Sequence, residues 1–190
     1  MIKKTVIAMI IILALTSIYS GAYKPLAKAQ MYIQFQGYLP TLRTFDELTL
    51  KFNKVLQFNS PIGQREVVKF ANSQFETMIM NENQSEGAAL AITKYTEDHI
   101  FENNVVHLHQ VGNMYRTLYV RFGGQEYLNK SEDYYKKIRK IGPKLPQGLY
   151  SLFYIYEQSG QTEKMKEIGG KILELWPSDE KMKQAIEEGF

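Results

Sequence analysis

Apolar residues along most of this 190-residue chain recur every three or four positions, which is the spacing of one face of an α-helix. One such stripe is Leu48, Phe52, Val55 and Leu56, and a second is Val67, Phe70, Ala71, Phe75 and Met78. No stretch of useful length alternates polar and apolar residues with the period of two that a β-strand shows. The pattern predicts an all-α fold class, with an N-terminal transmembrane helix followed by an antiparallel helical-hairpin stack, and about eight or nine helices in total.

Local sequence signals mark the ends of the predicted helices. Thr44 and Glu47 have the spacing of a capping box, in which each side chain accepts a backbone amide that the helix leaves free. Ser85 is placed to cap the helix that follows it. Breaks between helices are predicted at residues 37–40, 59–61, 81–84 and 102–104.

The N-terminal part of the chain is apolar on all sides, unlike the amphipathic segments. Residues 5–23 contain no charged side chain and include eight Val, Ile or Leu residues. A helix of these 19 residues is about 28 Å long, against about 30 Å for the hydrocarbon core of a bilayer. Residues 1–29 are therefore predicted to anchor the chain in a membrane, with Tyr19 and Tyr23 at the interface.

A cleaved signal peptide is the competing interpretation of the same segment. The basic start, the apolar stretch and the small residues at positions 20–22 are typical of one. The length of the apolar stretch favours the uncleaved anchor. Lys3 and Lys4 favour a cytoplasmic N-terminus, so either interpretation predicts that the rest of the chain is periplasmic or extracellular. The predicted localisation is the inner (cytoplasmic) membrane of a bacterium, with a single pass.

The C-terminal half of the chain repeats its pattern at a fixed distance. Pro143 and Pro177 are 34 residues apart, and the apolar residues upstream of one recur upstream of the other. The matched pairs are Leu118 with Leu152, Tyr119 with Phe153, Phe122 with Tyr156, Ile138 with Ile172 and Ile141 with Leu175. This offset predicts one helix pair over residues 112–145 and a second over residues 146–179, stacked on each other. The polar segment 180–190 is predicted to form a short helix that caps the stack.

Each unit resembles the tetratricopeptide repeat. The second unit carries Leu149, Leu152, Tyr156, Gly160 at the turn and Pro177, and the first carries Tyr115, Leu118, Phe122, Ser131, Tyr135 and Pro143. The departures are Tyr119 and Phe153 at a usually small position, and Met165 and Gly169 at the small and aromatic positions of the second helix. Because each glycine inside a helix costs on the order of 1 kcal/mol, packing near Gly169 is expected to be closer or looser than usual. The alternative is a generic pair of helical hairpins without repeat geometry.

A wider resemblance covers nearly the whole chain. It rests on a membrane helix that continues into residues 23–27, on segment 52–56 followed by segment 59–66, and on the junction from Ile138 through Pro143 to Tyr150. These features resemble the C-terminal part of bacterial O-antigen ligase or polymerase-like membrane proteins, which implies a repeat tail on the non-cytoplasmic side. The chain has one membrane segment, without a multi-span domain or a large catalytic loop. No ligase functional residue is therefore carried over, and we expect a separated tail or a fragment.

Composition and charge narrow the class of partner. Hydrophobic residues make up 44% of the chain, which excludes disorder on composition, and aromatic residues make up 13%. Lys and Arg number 23 against 20 Asp and Glu, and leaving out Lys3 and Lys4 gives 21 basic residues. Because this nearly neutral body has no basic stripe, no nucleic-acid partner is predicted. The absence of cysteine excludes disulfides, thiolate metal sites and a cysteine nucleophile.

No set of residues predicts a reaction. His107 and His109 lie two apart, so on a helix they point about 200° from each other and do not chelate one ion. Nothing holds two carboxylates at a working distance, and the chain lacks a glycine-rich phosphate loop and a Gly-x-Ser-x-Gly elbow. The sequence therefore predicts a protein that is not an enzyme, with no metal and no cofactor.

The tetratricopeptide resemblance implies a binding face, because the first helix of each pair lines the concave groove of such stacks. The partner-binding residues it implies are Asn113, Arg116 and Val120 in the first unit and Gln147, Tyr150, Tyr154 and Glu157 in the second. Tyrosine and arginine are frequent contact residues at interfaces. The open alternative is that Tyr150 and Tyr154 pack against a neighbouring helix.

Together these features predict four regions. They are an anchor or signal segment at 1–29, a linker and first helix at 30–62, a degenerate helical hairpin at 63–111, and two tetratricopeptide-like units with a capping helix at 112–190. The predicted function is a membrane-anchored, non-catalytic interaction module with a protein or peptide partner. The alternative is an accessory or separated tail of an O-antigen ligase-like glycosyltransferase in envelope polysaccharide assembly. A spacer without a specific partner is a third hypothesis.

Overall fold

The computed structural model describes residues 2–188, so Met1, Gly189 and Phe190, which belong to the predicted anchor and capping helix, lie outside the described residues. Helices account for 82% of the chain, and no strand occurs in the described range. The all-α fold class with an N-terminal apolar helix is confirmed. The described α-helices are α1 (Ile2–Ile18), α2 (Lys24–Tyr38), α3 (Phe45–Gln57), α4 (Gln64–Met80), α5 (Glu86–Glu97), α6 (Val105–Phe122), α7 (Gln125–Ile141), α8 (Pro146–Gln158), α9 (Thr162–Leu175) and α10 (Glu180–Glu188).

The first helix is longer than the predicted membrane segment. A π-helical turn at Tyr19–Tyr23 joins α1 to α2, and a short 3₁₀ turn at Leu39–Thr41 follows. Lys3–Thr41 is thus one helical run of 39 residues, and it is the one described helix that is long and apolar enough to cross a membrane. A signal sequence near the N-terminus meets the same criteria of length and composition, so the anchor and the signal peptide both stay open. The predicted region boundary after residue 29 falls inside α2.

The chain divides into two compact units, Met1–Phe70 and Ala71–Phe190. In the first unit α2 packs on α3, and the rings of Phe35 and Phe52 lie 5.0 Å apart between centroids. The predicted capping box at the start of α3 is confirmed. The Glu47 amide donates to Thr44 Oγ1 at 3.1 Å, and the Thr44 amide donates to Glu47 Oε2 at 3.4 Å.

The buried face of α4 differs from the predicted stripe. Phe70, which the pattern places on the core face, is 51% exposed, whereas Val68 and Ile79 are buried. Successive helical residues are about 100° apart, so Phe70 lies well off the direction shared by Val67 and Phe75. A buried stripe of i, i+4 steps through Val67, Ala71 and Phe75 accounts for the difference.

In the second unit each helix packs chiefly on its neighbour in the chain. α6 packs on α7, α8 packs on α9, and α7 packs on α8, while α5 and α10 cover the two ends of this series. The side chain of Asn104 caps α6 by accepting from the Val106 amide at 2.9 Å. Because α6 begins at Val105, the region boundary predicted at residue 112 falls inside a helix.

Two glycines allow helices to approach closely. A Cβ atom on Gly112 in α6 would lie 2.6 Å from Cε1 of Tyr135, and one on Gly169 in α9 would lie 2.7 Å from Cδ1 of Ile186. The packing near Gly169 is therefore closer than usual. The neighbouring Gly170 has no atom within 4 Å of its Cβ position.

Two carboxylates, the half-buried Glu97 and the buried Glu132, link the helices of the second unit. Glu97 accepts from the hydroxyls of Tyr115 and Tyr134, and Glu132 accepts from the Tyr156 hydroxyl at 2.8 Å. Burial alone would raise the pKa of each carboxyl, but these hydrogen bonds and nearby lysines hold both pKa values below the usual range. Long-range contacts of this kind hold α5, α6, α7 and α8 in register.

Candidate functional site

An open cleft of about 370 Å³ lies in the second unit, where α6 faces α8. Its lining residues are His109, Asn113 and Arg116 from α6, Tyr135 from α7, and Pro146, Gln147, Tyr150, Ser151 and Tyr154 from α8. The residues from α6 follow a spacing of three and four, as do those from α8, so each helix presents one face to the cleft. Its volume lies within the range of small-molecule and cofactor pockets, about 300–1,000 Å³.

The floor of the cleft is a buried tyrosine held in one position. Gly112 leaves the space for the Tyr135 ring, which is fully buried. The Tyr135 hydroxyl donates to Asn113 Oδ1 at 2.8 Å. Burial raises the pKa of Tyr135 to about 12, so this hydroxyl keeps its proton at neutral pH. The bond fixes the Asn113 amide with its oxygen towards the floor.

A histidine joins the two sides of the cleft. His109 Nε2 lies 3.0 Å from Ser151 Oγ, so α6 and α8 are hydrogen-bonded to each other across the cleft. Burial lowers the pKa of His109, and the positive charge of Arg116 lowers it further. The imidazole is therefore neutral at pH 7, and the cleft gains no charge from it.

Arg116 is the one formally charged side chain among the described residues that line the cleft. Its positive charge acts on Glu76 of α4, although burial still raises the pKa of that carboxyl overall. The Asn113 side chain also interacts with Glu76 and opposes the effect of burial. The cleft thus combines one cation with amide and hydroxyl groups, rather than presenting a field of a single sign.

The two tyrosines of α8 differ in their surroundings. The Tyr150 hydroxyl donates to Asp179 Oδ2, and its ring lies 5.9 Å from that of Trp176 between centroids. Burial first, and then Asp179, raises the pKa of Tyr150 to about 12. Tyr154 is 46% exposed at the mouth of the cleft. Tyr150 therefore has a packing role in addition to lining the cleft, whereas Tyr154 offers an open aromatic face.

Five of the seven sequence-predicted binding residues line this cleft, namely Asn113, Arg116, Gln147, Tyr150 and Tyr154. Val120 and Glu157 are exposed and lie beyond the ends of the lining on their helices. Val120 lines a separate depression with Tyr119, Gly123 and Gln158.

Sequence reasoning missed the floor and the bridge of the cleft. The sequence pattern places Tyr135 only in the repeat motif and His109 only in a candidate metal pair. The available signal is the i, i+4 spacing, which places His109 on the same face of α6 as Asn113 and places Ser151 on the same face of α8 as Gln147. Their pairing depends on a contact over 42 residues, which no local pattern contains.

The cleft has the chemistry of a binding site for an extended polar ligand. Donors and acceptors from Asn113, Arg116 and Gln147 are suited to peptide carbonyl and amide groups, and Tyr154 offers a surface for a side chain. In the part of the chain that the structure describes, no group of three or more His, Asp or Glu side chains is placed to hold a metal ion.

No protein-family model matches the chain, and neither a curated protein nor a solved structure matches it at significant similarity.

Proposed function

We propose that this chain is a membrane-anchored, non-catalytic interaction module, and that its α6–α8 cleft binds an extended peptide segment of a partner protein. The observation that carries the proposal is the convergence of Asn113, Arg116, Gln147 and Tyr154 on one open cleft. Tyr135, buried behind them, holds the Asn113 amide in one orientation. A preorganised amide lowers the entropy cost of ordering a ligand.

The proposed architecture is a stack of two tetratricopeptide-like units. Support comes from the 34-residue offset between Pro143 and Pro177 and from the packing of α6 on α7 and of α8 on α9. In such a stack the cleft between the first helices of successive units is the binding groove. The departures at Tyr119 and Phe153 do not line the cleft.

The proposed location is the outer face of a bacterial inner membrane, with the N-terminal helix retained as the anchor. Support comes from the apolar run at residues 5–23 and from the basic pair Lys3 and Lys4 before it. Protease protection in spheroplasts tests the orientation. If protease digested the helical body in inverted vesicles but not in spheroplasts, the body would face the cytoplasm. That result would contradict the proposed topology.

A peptide selection tests the binding function. A phage library of random 12-residue peptides would be panned on the full chain in nanodiscs and counter-selected on Arg116→Ala and on Tyr154→Ala. We expect peptides whose capture falls about tenfold or more on each variant, since Arg116 is the one formally charged side chain in the described lining and Tyr154 offers an exposed aromatic ring at its mouth. Tyr150→Ala is a poorer variant, because Tyr150 also packs on Trp176.

The matched control is Glu157→Gln, an exposed change on the same helix outside the cleft lining. Circular dichroism and the thermal midpoint would show that each variant is folded. Peptides captured equally by wild type and by both cleft variants would place binding elsewhere. If no peptide were enriched from the library, the proposed peptide-binding function would be wrong.

A second candidate is the separated tail of an O-antigen ligase-like glycosyltransferase. The observation that favours it is the continuous helix Lys3–Thr41, which leads from the membrane segment directly into the helical body. Co-expression with a multi-span membrane protein encoded beside this chain would test it. Co-purification of the two in detergent, and polysaccharide transfer only when both are present, are the expected results. Transfer by the membrane protein alone would exclude this candidate.

A further inference from the structure

The first unit contains an apolar groove of about 420 Å³ between α2 and α4. One wall is the α2 stripe Pro25, Lys28, Ala29, Tyr32, Ile33 and Gln36, and the other is Gly63, just before α4, with the α4 residues Glu66, Val67 and Phe70. Both stripes repeat at three and four positions, so each helix presents a single face to the groove. Gly63 faces the Lys28 side chain and Phe70 faces Tyr32, so both walls run in the same direction away from residue 23.

The lysine in the lining does not make the groove polar. Lys28 is 2% exposed, and its Nζ donates to the Phe58 carbonyl at 2.9 Å and to Gln64 Oε1. The amine thus ties α2 to the start of α4, while the methylene stem contributes to the lining. Ile33 and Phe70 remain 64% and 51% exposed on the two walls. An apolar surface of this kind in contact with water favours an apolar occupant.

The groove starts where the membrane-spanning run ends. Pro25 lies two residues after Tyr23, which is about 3 Å along a helix axis, and the helix is continuous between them. Because Lys3–Thr41 is one helical run, the α2 wall continues from the apolar segment without a break. With residues 5–23 retained in a bilayer, the end of the groove at Pro25 would lie at the level of the lipid headgroups.

Cationic side chains stand beside the groove. Lys24 lies one residue before Pro25, and Arg65 and Lys69 lie on α4 next to lining residues, with Lys69 Nζ 5.4 Å from the Phe70 ring centroid. Glu66 is the one acidic residue in the described lining. A basic rim attracts anionic headgroups, and each lysine or arginine near the surface strengthens such attraction.

We propose that this groove binds an acyl chain of a phospholipid from the adjacent leaflet, with the headgroup at the basic rim. The apolar lining matches the chain, the rim matches an anionic headgroup, and the continuity with the membrane segment supplies the lipid. The inference concerns the first unit and does not depend on a peptide in the α6–α8 cleft. It does require that the N-terminal helix stays in the membrane.

Photo-crosslinking tests the proposal. The full chain would be placed in nanodiscs that contain phosphatidylglycerol with a diazirine on one acyl chain, and its intact mass would show that the N-terminal helix is retained. After illumination, we expect crosslinked lipid on peptides that cover residues 25–36 and 63–70, in addition to the span. Ala29→Trp fills the groove from an exposed position, so labelling of residues 63–70 should fall about fivefold or more.

The matched control is Gln30→Trp, because Gln30 is exposed and lies beside Ala29 but outside the groove. Its labelling of residues 63–70 should stay within about twofold of wild type. Labelling confined to residues 5–23 in the wild type would overturn the proposal. A second contradicting result would be nanodiscs that contain two chains with residues 63–70 unlabelled. The groove would then be occupied by a second copy of the chain, and the proposal would be wrong.

Discussion

The α6–α8 cleft and the α2–α4 groove are similar in volume, at about 370 and 420 Å³, but they differ in chemistry. The cleft is built from amide, hydroxyl and imidazole groups that hydrogen-bond to one another, as in the contact of His109 with Ser151. The groove is lined by apolar side chains, and its lysine is tied away from it. The volume of the two cavities therefore does not distinguish their ligands. The distinguishing feature is whether polar side chains point into the cavity, as in the cleft, or are hydrogen-bonded away from it, as in the groove.

The difference follows from the cost of desolvation. A polar ligand loses hydrogen bonds to water, so a site for it must offer replacements already in place, as Asn113 and Arg116 do. An apolar chain loses nothing of this kind and gains from leaving water, so the groove needs only shape and apolar surface. The predictions that follow test this difference and the packing that supports it, from the largest expected effect to the smallest.

Gly112→Ala should have the largest effect. The new Cβ would lie 2.6 Å from the Tyr135 ring, so either the ring or α6 must shift, at a cost of about 1–3 kcal/mol in the free energy of unfolding. Chemical denaturation measures the loss, and peptide capture by the cleft should fall with it. Lipid labelling of the groove should not change.

Gly170→Ala is the control for that substitution. No atom lies within 4 Å of its Cβ position, so alanine should stabilise α9 by about 0.5–1 kcal/mol. If both substitutions instead changed the free energy of unfolding by the same amount, the contact with Tyr135 would not be what decides the cost at Gly112.

A double dissociation should come next in size. Tyr154→Ala should reduce peptide capture about tenfold while lipid labelling stays unchanged, because Tyr154 lines the cleft and not the groove. Ala29→Trp should do the reverse, because Ala29 lines only the groove. Measuring both readouts on both variants checks this, and a variant that impairs both would show that the two sites are coupled.

Mild acid should destabilise the fold around the cleft, through His109. The folded state holds the pKa of His109 below the ordinary value of 6.5, so the unfolded chain binds a proton more readily. The stability that depends on neutral His109 is present above about pH 6.5 and is lost as the pH falls below it. We expect a lower thermal midpoint at pH 5.5 than at pH 7.5.

His109→Gln keeps a hydrogen-bonding side chain without titrating, so the difference in thermal midpoint between the two pH values should shrink. Glu97 and Glu132, whose pKa values are held below 4.5, lose their contribution only at lower pH and do not act in this window. An undiminished difference in His109→Gln would assign the pH dependence to another group.

Val120→Ser should have the smallest effect. Val120 is 60% exposed and lies outside both sites, so the free energy of unfolding should change by no more than about 0.5 kcal/mol. Peptide capture should stay within about twofold of wild type, as measured with the selected peptides. A tenfold loss would extend the binding surface along α6, as the repeat resemblance implied.

Helix type, helix ends and much of the candidate site were predictable because they depend on residues close in sequence. The capping box needs only Thr44 and Glu47, and the shared face of Asn113 and Arg116 needs only a three-residue spacing on one helix. The buried face of α4 was less predictable, because both edges of its stripe carry apolar residues. Phe70 lies at one of these edges, outside the buried stripe of α4, and lines the groove together with residues of α2.

The sequence by itself determined an all-α chain with an apolar first helix, since a period of 3.6 residues, helix caps and hydropathy act within one or two helical turns. Only the tertiary structure decided that Tyr135 enters the space left by Gly112 and that His109 meets Ser151 across 42 residues. Those contacts depend on how neighbouring helices are spaced and rotated. Spacing and rotation arise from the packing of many side chains together, which no single segment of sequence specifies.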